Sequence, residues 1–328
     1  MLTYGSVCSG IESASVAWMA LGFKPVWFAE VEPFPSAVLA HHYPDTPNLG
    51  DMTRLAVRVL SGKIAAPAVL IGGTPCQAFS VAGMREGLAD PRGLLTIKYV
   101  ELANAVDLIR ARRGEPESVI VWENVPGVLQ DNENAFGCFL AALVGESEEL
   151  KPSGGKWSNA GCVYGPTRAV AWRVLDAQYF GLAQQRRRVF LIASARAGFD
   201  PASILFEWDS VRRDIAPSRS TGPEIADTFT SGVDLRNGQL TGDVAHTVQA
   251  GEKGPAPGNT PHILKAGKVR RVTPRECERL QGLPDLYTLI PWRGKEAADT
   301  PRYQAIGNCK AVPVVRWLGR RLLATLKE

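Results

Sequence analysis

Four short apolar runs, each halted by small or turn-forming residues, set the frame of this 328-residue chain. Leu2–Cys8 gives way to Ser9-Gly10 and a helical pattern over Ser13–Leu21 that Gly22 closes. Pro25–Val31 leads into a helix over Pro33–His42, and Thr53 is placed to cap a further helix through Leu60. Ala68–Ile71 is followed, after a Gly-rich and charged loop over 83–93, by a long helix Leu94–Arg110. Val119–Trp122 ends in Glu123-Asn-Val-Pro126. Strands alternating with helices predict an open α/β sheet, whose ligands bind at the carboxyl ends of the strands.

Two residues gain meaning from that frame. The run through Val69 stops at Gly72-Gly73-Thr-Pro-Cys76, so a loop carries Cys76 at a strand's carboxyl end. A nucleophile would sit there, although a free cysteine also packs well as a small buried hydrophobe. Glu30 closes the second strand, the usual place for an acid that hydrogen-bonds a ribose, or simply for a surface glutamate.

Composition narrows the class. With 45% hydrophobic residues the chain can bury a real core, and its net charge of +4 is mild. Arginines nonetheless cluster at Arg110/Arg112/Arg113, Arg186–Arg188, Arg212-Arg213, Arg270-Arg271 and Arg320-Arg321, which permits a polyanionic partner without requiring one. Six cysteines without a C-x-x-C pair, and four histidines at no ligand spacing, argue against structural zinc, any other metal centre and a disulfide framework. The apolar stretch Ile11–Phe23 is too short to span a bilayer and lacks a basic lead, so the expectation is a reducing, cytoplasmic setting with no membrane contact.

The pattern changes along the second half. Residues 131–167 are expected to hold one helix over Phe136–Val144 and an excursion loop, and Val170–Phe180 with Arg188–Ala195 form the sheet's last hairpin. Residues of about 200–268 are rich in Gly, Pro, Thr and Asp, and Ile225–Gly232 weakly repeats as Val244–Gly251, which suggests a small loop-rich β domain. Thr273-Pro-Arg-Glu276 has the form of a capping box opening a helix, and a final helix Ala311–Leu326 is amphipathic enough to pack back on the first domain.

The order of these motifs resembles that of the DNA (cytosine-5) methyltransferases of bacterial and phage type. The resemblance rests on Ser6-Val-Cys-Ser-Gly-Ile11, Glu30, Gly50-Asp-Met52, Gly73-Thr-Pro-Cys-Gln-Ala-Phe-Ser80, Arg92-Gly-Leu-Leu95, Glu123-Asn-Val125, Gln184–Arg188, Val272–Asp285 and Ile306-Gly-Asn308. It implies a Rossmann-like S-adenosylmethionine-dependent sheet with helices on both faces, plus a small target recognition domain. The implied division is 1–196 with 301–328 as the catalytic domain and 197–300 as the recognition domain.

The implied chemistry accounts for the residue types. Carbon 5 of cytosine is a poor nucleophile until a thiolate adds to carbon 6, the role that falls to Cys76. Charge then develops on the ring nitrogen and carbonyl, where Glu123, Arg186 and Arg188 would act. By the same resemblance the cofactor S-adenosylmethionine would be held by Cys8, Ser9, Gly10, Ile11, Glu30, Val31, Asp51, Met52, Pro75, Leu95, Asn308 and Cys309. Gln77, Ser80, Arg270 and Arg271 would touch DNA around a flipped-out base, and the segment near 200–268 would read base edges.

Three departures from the family's pattern are visible. Ser6 stands where an acid is usual, Glu12-Ser13 where glycines are common, and Cys309-Lys310 where Ser and an apolar residue are usual. Lys310 is expected on the outer side of the last helix, with acceptance of an anionic cofactor variant as the alternative. The resemblance implies double-stranded DNA as partner and a monomer, and it leaves a cognate restriction endonuclease open. A transfer-RNA cytosine methyltransferase and a decayed DNA-binding scaffold are the competing functions.

Overall fold

The computed structural model describes residues 1–74, 91–207, 231–234, 239–242, 244–245, 262–265 and 268–326. Cys76, with Pro75, Gln77 and Ser80, lies outside them, as do Arg212-Arg213 and most of the segment expected to read bases.

A seven-stranded sheet has the order β2-β1-β3-β4-β7-β6-β5. Its strands are β1 (Thr3–Val7), β2 (Lys24–Ala29), β3 (Val69–Gly72), β4 (Val119–Asn124), β5 (Ala160–Tyr164), β6 (Ala169–Asp176) and β7 (Arg187–Ser194). The first four run parallel, and β7, β6 and β5 are added antiparallel. The chain passes from β1 to β2 on one side and returns with β3 on the other. That reversal opens a crevice at the carboxyl ends of β1 and β3.

Both faces of the sheet are covered, because alternate residues of each strand point opposite ways. Val69, Ile71, Val119 and Val121 enter one core with α1 (Ser13–Trp18), α2 (Pro33–His42) and the last helix α9 (Val312–Leu326). Leu70, Ile120 and Trp122 enter the other with α3 (Leu55–Leu60), α4 (Pro91–Arg112) and α5 (Ala135–Val144). The near-continuous apolar character of β3 and β4 follows from this burial on both sides.

The end of the chain closes on its beginning through α1 and α9. Trp18 Nε1 donates to the carbonyl of Val315 at 2.7 Å. A Cβ at Gly319 would meet that indole at 2.5 Å, so only glycine lets the two helices approach this closely.

Beyond β7 come a short α6 (Ala202–Leu205) and a four-stranded antiparallel sheet of order β11-β10-β8-β9. Its strands are β8 (Ser231–Asp234), β9 (Gln239–Gly242), β10 (His262–Lys265) and β11 (Lys268–Arg271). Ala245 donates to Ala183 O at 2.9 Å and accepts from Gln185 N at 3.0 Å, which straps this region to the loop before β7. Helix α7 (Pro274–Gln281) begins with the expected capping box between Thr273 and Glu276. A two-stranded β12–β13 hairpin (Pro291–Trp292, Lys295–Glu296) and α8 (Asp299–Asn308) lead back to the crevice.

Three local expectations need correction. Thr53 does not cap α3: it lies inside a 3-10 turn whose cap is Asp51, and its hydroxyl donates to Asp51 Oδ2 at 2.9 Å. The excursion loop contains β5, an edge strand of small residues that pairs with β6. The stretch before Asn308 is itself helical, as α8.

Candidate functional site

The turn after β1 is built from left-handed backbone. Cys8 has φ 47°, Gly10 φ 58° and Glu12 φ 60°. Gly10 N donates to Glu30 Oε2 at 2.7 Å, and Glu32 N donates to Glu30 Oε1 at 2.8 Å. Asn48 fixes the backbone of Glu30 from the other side, accepting its amide at 2.9 Å and donating to its carbonyl at 3.0 Å. Ser9 Oγ donates to Ser6 O and accepts from Ala29 N, so the turn is clipped to the end of β2.

A cavity of about 700 Å³ opens over this turn. Cys8, Gly10, Glu30, Leu95 and Asn308, all expected at the cofactor, line it. Its wall also includes Glu32, Phe34, Gly73, Trp292 and Gln304, none of which the sequence assigned to the cofactor. Phe34 meets Trp292 edge to face with ring centroids 5.6 Å apart, giving the cavity an aromatic corner. Burial and the neighbouring Glu30 push the Cys8 thiol up to about 11, so it is a neutral lining group.

Other predicted cofactor residues take different positions. Ile11 and Met52 are buried in the two cores, and Cys8 Sγ contacts Met52 Sδ at 3.7 Å. Val31 is 66% exposed. Asp51 spends its carboxylate on Thr53. Cys309 is buried, with burial pushing its thiol up to about 12.

The carboxyl end of β4 carries the second half of the site. Arg188 Nε lies 3.3 Å from Glu123 Oε1, with both side chains largely withdrawn from water. Arg186 is buried and donates from Nη2 to the carbonyls of Gly307 (3.1 Å) and Cys309 (2.7 Å). Burial, and next the neighbouring Arg188, lower its guanidinium to about 10. It therefore holds the last turn against the sheet.

Between the two halves sits Gly73. A Cβ there would lie 3.2 Å from Glu123 O and 3.3 Å from Glu123 Oε2, a tight contact that glycine relieves. Thr74 is fully buried; its Oγ1 accepts from Trp122 Nε1 at 3.0 Å and its carbonyl from Asn124 Nδ2 at 2.8 Å. The backbone two residues before Cys76 is thus anchored to β4 at both ends of one residue.

Two further predicted residues differ from one another. Arg270 donates to Glu276 Oε2 at 2.8 Å and Oε1 at 2.7 Å, an engagement within the fold, whereas Arg271 is exposed. Lys310 departs from its expected place on an outer surface: it is only 7% exposed and faces inward. Among the described residues no group of His, Cys, Asp and Glu could hold a metal ion, and no helix is long and apolar enough to cross a membrane.

An α/β sheet with its crevice at this switch point, a carboxylate after β2 and an acid–arginine pair between the tips of β4 and β7 make a site for a ribose-bearing ligand. The family model for C-5 cytosine-specific DNA methylases matches residues 2–209 and 207–324, and the chain belongs to that family. S-adenosylmethionine is the family's cofactor, and the residues present fit it: Glu30 retains a free lone pair on each oxygen, and Phe34 and Leu95 offer apolar surface for a purine.

Among curated proteins the chain is 42% identical to a protein of Escherichia phage P1 named DNA N-6-adenine-methyltransferase, across 98% of this chain and 61% of that one. It thus spans about three fifths of that relative's length. It is 27% identical to the Type II methyltransferase M2.BsuMI of Bacillus subtilis, across 97% of this chain and 74% of the other. In fold it is similar to the S. pombe Dnmt2 methyltransferase, with TM-score 0.66, 16% identity and 99% of each chain covered. A DNA modification methyltransferase encoded within an E. coli prophage gives TM-score 0.61 at 16% identity, covering 100% of both chains.

Proposed function

We propose that the chain methylates carbon 5 of a cytosine flipped out of a specific duplex DNA sequence, through a covalent Cys76 adduct at carbon 6. The observation that carries this is the Glu123–Arg188 pair, 3.3 Å apart, beside Gly73, which is also a wall of the cofactor cavity. An acid and a guanidinium there suit a ring on which charge develops at nitrogen 3 and the neighbouring carbonyl. When bound, S-adenosylmethionine supplies the electrophilic methyl.

The chain's own residues do the rest. Glu30 receives the ribose hydroxyls, and Asn308, held by Arg186 through Gly307, closes the cavity. Thr74 and Asn124 orient the chain that enters the Cys76 loop. Residues 197–300 form the recognition domain in this proposal, with the exposed Arg271 meeting phosphates and a single chain acting alone.

Incubation with tritiated cofactor and either plasmid DNA or total RNA tests the proposal, with nucleoside mass spectrometry of the product. Label in 5-methylcytosine from DNA, absent with Cys76→Ala, is expected. Label in N6-methyladenine, the base in the phage P1 relative's name, or in RNA alone would overturn it. Duplex DNA carrying 5-fluorocytosine should trap a covalent adduct on the Cys76 peptide, and an adduct on Cys8 or Cys309 would displace the nucleophile.

A further inference from the structure

Lys310 follows two residues after Asn308, a wall of the cofactor cavity, and approaches Gly73, another part of that wall. Its backbone amide donates to Ser13 Oγ at 3.1 Å, which fixes it against the start of α1. Its ammonium reaches the bed of Gly73, where a Cβ would meet Lys310 Nζ at 3.7 Å and Glu123 Oε2 at 3.3 Å. The residue is 93% withdrawn from solvent by its 7% exposure, yet among the described residues no hydrogen bond or ion pair takes up the Nζ charge.

The acids around it leave that charge unmatched. Glu123 is engaged by Arg188. Glu30 is held by the Gly10 and Glu32 amides, and among the described residues it makes no ion pair with Lys310. Glu12, in the first turn, feels Lys310 electrostatically but makes no contact pair with it, and its Oε2 has no partner at all. Burial raises the Glu12 carboxyl to about 7, so near neutral pH it supplies only part of a countercharge. An ammonium without a contact partner beside a sulfonium is repulsive. That repulsion is offset if the ligand brings an anion to it.

We propose that Lys310 binds a carboxylate carried by the sulfonium cofactor, an inference that rests on the cofactor assignment above. Two sources share this chemistry. One is the carboxylate of the cofactor's amino-acid half, which the contact with Ser13 and the first turn would favour. The other is a carboxylate on the carbon to be transferred, which the position beside Gly73 and Glu123 would favour. In the second case the bonds balance as in methyl transfer: carbon–carbon forms at ring carbon 5 and the cofactor's carbon–sulfur bond breaks, releasing a neutral thioether; the carbon 5 proton then passes to a general base as the Cys76 thiolate leaves carbon 6. The cytosine would then carry a carboxymethyl group.

Calorimetric titration of the full chain separates the sources. The ligands are S-adenosylhomocysteine, its decarboxylated analogue 5′-deoxy-5′-(3-aminopropylthio)adenosine, S-adenosylmethionine, and the sulfonium bearing carboxymethyl in place of methyl. If the amino-acid carboxylate is bound, Lys310→Met weakens S-adenosylhomocysteine about 10-fold or more and leaves the decarboxylated analogue unchanged. If the transferred carbon carries the carboxylate, the wild type prefers the carboxymethyl sulfonium over S-adenosylmethionine about 10-fold or more, and Lys310→Met erases the preference. Lys310→Arg should retain either effect in part, and wild type alone reports on the ligand pairs should the Met variant not fold. Affinities independent of both carboxylates in wild type would overturn the proposal while leaving the cofactor assignment standing. Failure of all four ligands to bind would overturn both.

Discussion

Asn124 donates its side-chain amide to the carbonyl oxygen of Thr74 across 2.8 Å, joining the tip of β4 to the chain that enters the Cys76 loop. The bond is made from the residue next to Glu123, so one strand tip holds both the proposed acid and the chain leading toward the proposed nucleophile. Asn124→Ala should lower turnover about 10- to 100-fold, the effect of an ångström-scale misplacement, with cofactor affinity changed less than about two-fold. Single-turnover methylation and calorimetry check the split. Equal losses in both would make Asn124 a general structural residue instead.

Arg188 sets its Nε 3.3 Å from Glu123 Oε1 while Nη1 donates to the carbonyl of Arg187 at 2.8 Å. A lysine cannot reproduce that geometry. Arg188→Lys is therefore expected to lose on the order of 100-fold in single-turnover rate while retaining DNA affinity measured at matched salt. A variant with the wild-type rate would remove Arg188 from the chemistry.

Glu12 makes folding stability depend on pH. Burial raises its carboxyl from an ordinary 4.5 to about 7, so ionising it within the fold costs on the order of 3 kcal/mol. The favourable state is the protonated one: its full contribution is present below pH 4.5 and is lost as pH rises through about 7. Denaturant unfolding of wild type and Glu12→Gln from pH 4.5 to 8 should therefore diverge, the variant gaining relative stability at the alkaline end. Parallel curves would contradict the assignment.

Gly319 is a packing position. The added methyl of Gly319→Ala would sit 2.5 Å from Trp18 Nε1, forcing α9 away from α1. Overpacking of this kind costs about 1–3 kcal/mol, to be read as a lowered midpoint in thermal or denaturant unfolding. Because Trp18 also donates to Val315, a loss of cofactor affinity should accompany it as the last turn shifts.

Much of the fold was legible because its signals are local. The apolar runs that became β1 to β4 are largely buried, β3 along its whole length, and their polar residues fall mostly at strand ends. Glu30 could be found because its place after β2 follows from chain order. Phe34 could not: it lies in a helix whose start was correct, but only the fold decides which of its residues meets Trp292, far along the chain. Thr74 and Asn124 look like loop polar groups until burial shows them paired. The strand β5 escaped because Ala160, Gly161 and Cys162 carry no alternation strong enough to mark an edge.

Lys310 shows the other kind of miss. A lysine in an amphipathic tail belongs outside by composition alone. Only the contact of its backbone with Ser13, and the return of the chain across α1, turn it inward.

That return has a consequence for birth on the ribosome. Cys8 and Gly10 share one cavity with Gln304 and Asn308, so its two halves are made about 300 residues apart in synthesis. At roughly 5–20 residues per second, the first turn must wait on the order of 15–60 s for its lid. During that interval the nascent sheet can fold, but it can hold no nucleoside firmly. The cofactor therefore cannot template the early domain; it can only lock a molecule whose translation has already passed Lys310.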